Sequence, residues 1–256
     1  MEGLILEDAI NILLKNVKKI TDVEEIPLLE SVGRFAAKEY FSQFYNPPFN
    51  RSPLDGYALK AVETPNTFKV IGEECAGDFF TGEIFSGECL RIMTGAAIPA
   101  SWDCVIRQED IKIDGENIVV PYKLKPYENF CFAGEDVKAG KILLKKDMQI
   151  NAKHIAILAS QGYSKVEVYR MPKVAVASTG DELLNPDEKI SDGKIYNSNL
   201  FFIAARLKEF GFQPIILGNL RDDVEAACKK IRAVENEIDF LITTGGVSVG
   251  KKRYYA

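Results

Sequence analysis

Histidine is nearly missing from this chain: His154 is the only one in 256 residues. It lies in NAKHIAILASQG, which reads as a helix capped by Asn151 and closed by Gly162. Hydrolases built on a histidine triad and multi-histidine metal sites are thereby excluded. Cysteine is sparse and scattered, at 75, 89, 104, 131 and 228, with no C-x-x-C pair. That removes a zinc site and a disulfide framework and leaves free, mostly buried thiols. No run of about eighteen apolar residues occurs, and the opening MEGLILEDAINILLKNVKKI carries acids and lysines where a signal peptide needs an unbroken apolar stretch. A cytoplasmic protein without a membrane anchor is expected. There is no basic stripe, and the net charge is -5, so nucleic acid and anionic membrane are not expected partners. Neither G-x-x-x-x-G-K-[ST] nor a G-x-G-x-x-G after the first parallel strand is present, which argues against a P-loop nucleotidase and a dinucleotide oxidoreductase. Chemistry must rest on carboxylates, hydroxyls, backbone amides, Lys and Arg.

What is present falls into three textures. Leu6, Ala9, Ile10, Leu13, Leu14 and Val17 form a helical apolar stripe, with Glu7 and Asp8 favouring the first turn. From about 54 to 146 short β-type runs, YALKAV, FKVIG, CLRIM, DCVIRQ and NIVVPY, alternate with Gly, Asp and Pro turns. After RMPKV, the buried-strand runs KVAVAS, QPIILG and DFLITT alternate with helical stretches near 198–210 and 223–235. Such βαβαβ spacing predicts a parallel sheet with right-handed crossovers. The expected fold is α+β and α/β multidomain: an N-terminal helix plus β-rich module, then a partial three-layer βαβ domain with a parallel sheet.

Ligands of open parallel sheets sit outside the carboxyl ends of the strands, and two of the three ends carry unusual loops. STGDELL places Asp181 and Glu182 after the Thr179–Gly180 turn, at or near an expected helix start, where they cap free amides or stand ready to hold magnesium beside a pyrophosphate. TTGGVSVG supplies Gly245, Gly246, Gly250 and the Ser248 hydroxyl, a backbone able to approach an anion closely. Both loops should face one edge. In the β module, PPFNRSPLDGYAL presents Arg51, Ser52 and Asp55 from a rigid loop, with Asp55–Gly56 as a turn, and RIMTGAAIPASWDCVIRQED sets Thr94 and Gly95 at a strand end.

In that order, NRSPLDGYAL, RIMTGAAIPASWDCVIRQED, AGEDVKAGKIL, VAVASTGDELL, NSN at 197–199 and LITTGGVSVG resemble the molybdopterin molybdenumtransferase family, called MoeA in bacteria and represented in animals by the gephyrin E-domain. The resemblance covers the chain up to Gly250. It implies a cytoplasmic homodimer that inserts molybdate into adenylylated molybdopterin with release of AMP, assisted by magnesium, and a molybdopterin adenylyltransferase as pathway partner. It implies a linker and dimerisation domain from 1–46 and 137–171, an inserted β-rich domain at 47–136, and a partial molybdopterin-binding domain at 172–256. The site is implied between the third domain of one subunit and the β module of its partner. Carried over by position, Asp55, Thr94, Asp136, Glu182 and Asp222 stand at the reacting end. Thr179, Gly180, Asn199, Gly245, Gly246, Val247, Ser248 and Gly250 bind pterin and phosphates, and Asp181 and Glu182 hold the metal.

The chain departs from the family twice. Arginine is usual just before G-E-D, but here the stretch is NFCFAGED, with Cys131 and Phe132 in place of positive charge. After VSVG the family continues with acidic residues, a helix, more strands and a small β-barrel, whereas this chain has KKRYYA. Written as AAA AAA AGA TAT TAT GCN, those residues lose one A to become Lys-Lys-Asp-Ile-Met, so a one-base slip is the expected origin of the tail; the source DNA tests it. Apolar surface and an unpaired sheet edge are expected in the third domain, with mobility after about residue 172 or cover from a dimer mate. A non-catalytic pterin-binding scaffold is the alternative function. An adenylyltransferase is a third reading, though the β module with SPLDGYA is foreign to it.

Overall fold

The computed structural model describes residues 4–220 and 224–245. In chain order they form α1 (Leu6–Asn16), β1 (Val23–Pro27), β2 (Tyr40–Phe41), β3 (Gly56–Leu59), β4 (Asn66–Glu74), β5 (Glu88–Ile92), β6 (Cys104–Arg107), β7 (Lys112–Asp114), β8 (Asn117–Val120), β9 (Ile142–Leu144), α2 (Ala152–Ser160), β10 (Lys165–Tyr169), β11 (Val174–Thr179), β12 (Leu183–Leu184), β13 (Ile195–Tyr196), α3 (Ser198–Glu209), β14 (Ile215–Leu220), α4 (Val224–Arg232) and β15 (Phe240–Thr244). Two compact units result: Met1–Ile26 with Gly33–Ala37 and Glu167–Ala256, and Pro27–Val32 with Lys38–Val166. No helix among the described residues is long and apolar enough to cross a membrane.

The second unit is built on a six-stranded sheet in the order β6-β3-β5-β4-β8-β7. Its neighbours pair antiparallel except for the parallel pair β4 and β5. All four residues of β3, GYAL, are buried, because the strand is central and covered on both faces. Phe68, Leu90, Ile92, Trp102 and Ile106 pack with them in one core. Burying one such large apolar side chain contributes about 1.5–3 kcal/mol. Of the Asp55–Gly56 pair, expected as a turn, Asp55 lies in the bend before this strand and Gly56 opens the strand itself: a Cβ at Gly56 would stand 2.1 Å from the Ile106 carbonyl oxygen, so only glycine lets the two backbones meet. Ser52, expected on display, is buried, its hydroxyl donating to the Leu54 carbonyl at 2.6 Å. Of the cysteines only Cys89 and Cys104 are buried, while Cys75 and Cys228 are exposed. "Mostly buried" was therefore too broad, since 75 and 228 fall outside the apolar strands that hide the other two.

In α2 the sequence reading holds. The Asn151 side chain accepts from the N–H groups of Lys153 and His154 at 3.0 and 3.3 Å, and His154 Nδ1 accepts from the Asn151 N–H at 3.2 Å. The lone histidine is one arm of a reciprocal helix cap. Gly162, at φ 79°, closes the end.

In the first unit β11, β14 and β15 form a parallel sheet in the order β14-β11-β15. Every residue of β11 is buried, as a middle strand requires. Helix α3 packs on β11 and α4 on β14. Helix α1 forms where the stripe predicted it, but none of its residues is buried. Phe201, Phe202, Phe210, Ile216 and Phe240 are likewise exposed. Arg170 ties this unit together, donating to Asp239 at 2.8 and 3.0 Å and to Asp22 at 3.2 Å. The helix expected at Asp181 and Glu182 is absent. The chain turns there into β12, which pairs in parallel with β13, and the helix starts only at Ser198 behind its cap Asn197.

Candidate functional site

Two clusters of rigid loops, one in each unit, carry the candidate site residues. The first lies at the carboxyl ends of β11, β14 and β15. Because β11 and β15 run parallel with Ser178 beside Thr244, the loops that follow them leave from the same edge, as expected. The Thr179 hydroxyl donates to the Thr244 carbonyl at 3.1 Å. Gly245, at φ 85°, sits so close that a Cβ there would come within 2.6 Å of Thr179 Oγ1. Gly180 has φ 138°. Both tips thus depend on glycine backbone, leaving main-chain groups accessible at the sheet edge.

Asn219, which sequence reasoning passed over, locks the cluster. Its Nδ2 donates to the Gly180 carbonyl at 2.6 Å, and its Oδ1 accepts from the Ser178 hydroxyl at 3.3 Å. Asn197 completes the chain by donating to Ser178 Oγ at 2.6 Å while capping α3. The β11–β14 register skips Leu217, and Gly218 at φ 76° makes the bulge that re-aims Asn219 toward β11. The available signal was a Gly-Asn pair breaking the apolar run of a buried strand. Lys194 Nζ donates to the Asp181 carbonyl at 2.6 Å, and Lys230 Nζ to the Asn219 carbonyl at 3.2 Å, which brings positive charge to this edge. Asp181, Glu182 and Asn199 are all exposed. Gly246, Val247, Ser248, Gly250 and Asp222 lie outside the described residues.

The second cluster belongs to the β unit. The Asp55 carboxylate accepts both the backbone N–H and the hydroxyl of Thr94, at 2.8 and 2.7 Å, through a single oxygen. These bonds, the backbone one foremost, hold the Asp55 carboxyl below the ordinary aspartate value, and the charge of Arg91 adds to the effect. Asp55 is therefore a fixed, ionised acceptor at the end of a laced strap. Along that strap Ser52 N–H donates to Ala96 at 3.0 Å, Arg51 N–H to Cys131 at 3.0 Å and Asp136 N–H to Asn46 at 3.0 Å. Asp136 sits at the opposite end of the strap from Asp55, on a depression of about 540 Å³ that Lys138 and Lys141 also line. Where arginine was expected, Phe132 packs with Tyr127 and Phe130 at ring separations of 5.1 and 5.0 Å, an apolar patch rather than an anion site. Among the described residues no group of three or more His, Cys, Asp or Glu could hold a metal.

Residues 4–162 match the family described as "MoeA N-terminal region (domain I and II)". The chain belongs to the MoeA family. Residues 175–254 match a second description, "Probable molybdopterin binding domain", which covers the strand-tip cluster. Among MoeA relatives, proteins named molybdopterin molybdenumtransferase from Staphylococcus epidermidis and Haemophilus influenzae are each 36% identical to it across 97% of this chain. The chain spans 61% and 62% of their lengths, respectively. A crystal structure of a molybdopterin biosynthesis MoeA protein from Pyrococcus horikoshii superimposes with a TM-score of 0.82 at 34% identity, covering 95% of this chain and 64% of that one.

Proposed function

We propose that the chain acts in molybdenum cofactor biosynthesis, inserting molybdate into adenylylated molybdopterin as the pyrophosphate link is hydrolysed and AMP leaves. The observation that carries this reading is the pair of glycine-dependent strand tips, Gly180 and Gly245, set side by side with lysines at the same sheet edge. A polyanionic pterin diphosphate needs close main-chain donors and compensating charge, and this edge supplies both. Thr179, Gly180, Asn199 and Gly245 would bind the pterin phosphates together with Gly246, Val247, Ser248 and Gly250. Asp55, braced by Thr94, would orient the reacting end with Asp136, Glu182 and Asp222.

Magnesium fits Asp181 and Glu182, which offer hard carboxylate oxygens on one turn at the strand tips, with phosphate oxygens completing the shell. When bound, it would neutralise the pyrophosphate and ease departure of AMP. Under the same proposal residues 1–46 with 137–171 serve dimerisation, 47–136 is the inserted β-rich domain and 172–256 the molybdopterin-binding domain. A homodimer in the cytoplasm would join the cluster of one subunit to the β unit of the next, and a molybdopterin adenylyltransferase would supply the substrate.

The test is AMP release from adenylyl-molybdopterin by the purified chain with magnesium and molybdate. Turnover that Asp55→Asn and Glu182→Gln each reduce by roughly a hundredfold or more supports the enzyme. The aromatic patch at Phe132 favours a second reading, a pterin-holding scaffold, which tight binding without AMP release would support. Absence of both binding and turnover would overturn the proposal.

A further inference from the structure

Glu74, the last residue of β4, is a carboxylic acid only 2% exposed. Its Oε2 accepts the Phe80 backbone N–H at 3.2 Å, while Oε1 is buried with no hydrogen-bond partner. Its carbonyl accepts the Met93 N–H at 3.0 Å, and in the parallel pairing with β5 it stands beside Ile92. The Cys75–Phe80 loop that it secures lies against the Thr94 turn: a Cβ at Gly95 would be 3.7 Å from the Ala76 methyl. That loop is closed by Asp78 N–H to the Cys75 carbonyl at 3.0 Å and Cys75 N–H to the Asp78 carboxylate at 3.2 Å. At its far end the Phe80 ring packs 6.2 Å from Trp102, the single tryptophan of the chain.

We propose that Glu74 is a positioning residue: its buried carboxyl fastens the Cys75–Phe80 loop against the Met93–Gly95 turn and thereby sets where Thr94 meets Asp55. This rests on the reading that Asp55 and Thr94 face the reacting end of the substrate. A buried carboxylate with one oxygen unpaired is far costlier than the neutral acid. Burial accordingly raises the Glu74 carboxyl above its ordinary value of 4.5; the Phe80 N–H opposes the shift and the negative Asp78 adds to it. From β5 the nearby cation Arg91 is turned to Glu73, at 3.4 Å. Asp55 is the charge beyond Thr94. The neutral form fits the pocket, so the brace is complete below 4.5 and weakens as pH rises through the folded-state value.

The experiment follows the Thr94 amide by NMR and Trp102 emission across pH, using the isotope-labelled full chain without substrate. In the wild type the Thr94 amide should shift twice. One step falls below 3.8, as Asp55 takes up a proton, and one above 4.5, as Glu74 loses its own and Trp102 emission changes with it. Glu74→Gln, a neutral isostere, should keep the lower step and lose the upper, with Trp102 held at its acid-form emission. In Glu74→Leu, Phe80 N–H exchange with solvent should rise on the order of tenfold, since its acceptor is gone. An upper step that persists in Glu74→Gln, or a wild-type Thr94 amide unmoved above 4.5, overturns the proposal. None of these signals needs AMP release, so failure of the enzymatic reading is told apart from failure of the brace.

Discussion

Replacing Gly56 by Ala should cost more than any other single-carbon addition in the β unit for which the geometry is known. The new Cβ would meet the Ile106 carbonyl oxygen at 2.1 Å, its carbon at 3.0 Å and Val105 Cγ1 at 3.1 Å. Two of those atoms are backbone in β6, and β3 is also paired with β5 on its other side, so neither strand has room to retreat. Overpacking of this kind costs about 1–3 kcal/mol, and with rigid atoms in contact the upper end, about 3 kcal/mol, is expected. At about 2–4 °C per kcal/mol the melting temperature of the unit should fall by roughly 6–12 °C. Trp102, 3% exposed in the same core, reports the transition by fluorescence. Gly72→Ala is the control. Its Cβ would touch only the end of the Leu90 side chain, at 3.4 Å, and relief of glycine's backbone entropy offsets that contact. A Gly56→Ala protein that melts within about 1 °C of wild type, or a Gly72→Ala protein that falls as far, would refute the reasoning.

Burial pushes the Cys89 and Cys104 thiols up to about 12, so a thiol reagent on the native protein at neutral pH should modify Cys75 and Cys228 and spare those two until denaturant is added; peptide mapping checks it. Hydrogen bonds from Arg170 first, then the Lys173 N–H, hold the Asp239 carboxyl near about 2. Its contribution to stability is therefore full above 3.8 and lost as pH falls toward 2, and Asp239→Asn should flatten that acid limb in urea unfolding followed across pH. Asn197→Ala removes both the α3 cap and the bond to Ser178, and should destabilise the first unit by about 1–2 kcal/mol in urea titration. An unchanged urea midpoint would count against that role.

The strands of the parallel sheet were legible from their short apolar openings, VAVA, IIL and FLI, although only β11 is buried throughout, while β14 and β15, expected as buried strands, are partly exposed. Their parallel order then puts the Thr179–Gly180 and Thr244–Gly245 tips on one edge without further information. The error at Asp181 and Glu182 came from assuming that a helix comes straight after the strand; the β12–β13 pair intervenes, and NPDE at 185–188 was the overlooked signal for chain reversal. Asn219 and Glu74 were not legible for a shared reason. Each is a polar residue whose direction is set by a register irregularity, beyond Leu217 in one case and within β4 in the other, and such a slip changes which face a side chain takes without changing the pattern of residue types around it.

The unit that bears the strand tips is assembled from both ends of the sequence, Met1–Ile26 and Gly33–Ala37 with Glu167–Ala256. During synthesis its strand β1 is made long before β10, Lys165–Tyr169, the strand with which it pairs. Lys38–Val166 comes out next and completes nearly all of a second unit. Until β10 and the strands C-terminal to it have left the exit tunnel, β1 waits with its backbone donors and acceptors unpaired while the β sheet of the other unit is already complete, and that interval is when a chaperone would have something to hold.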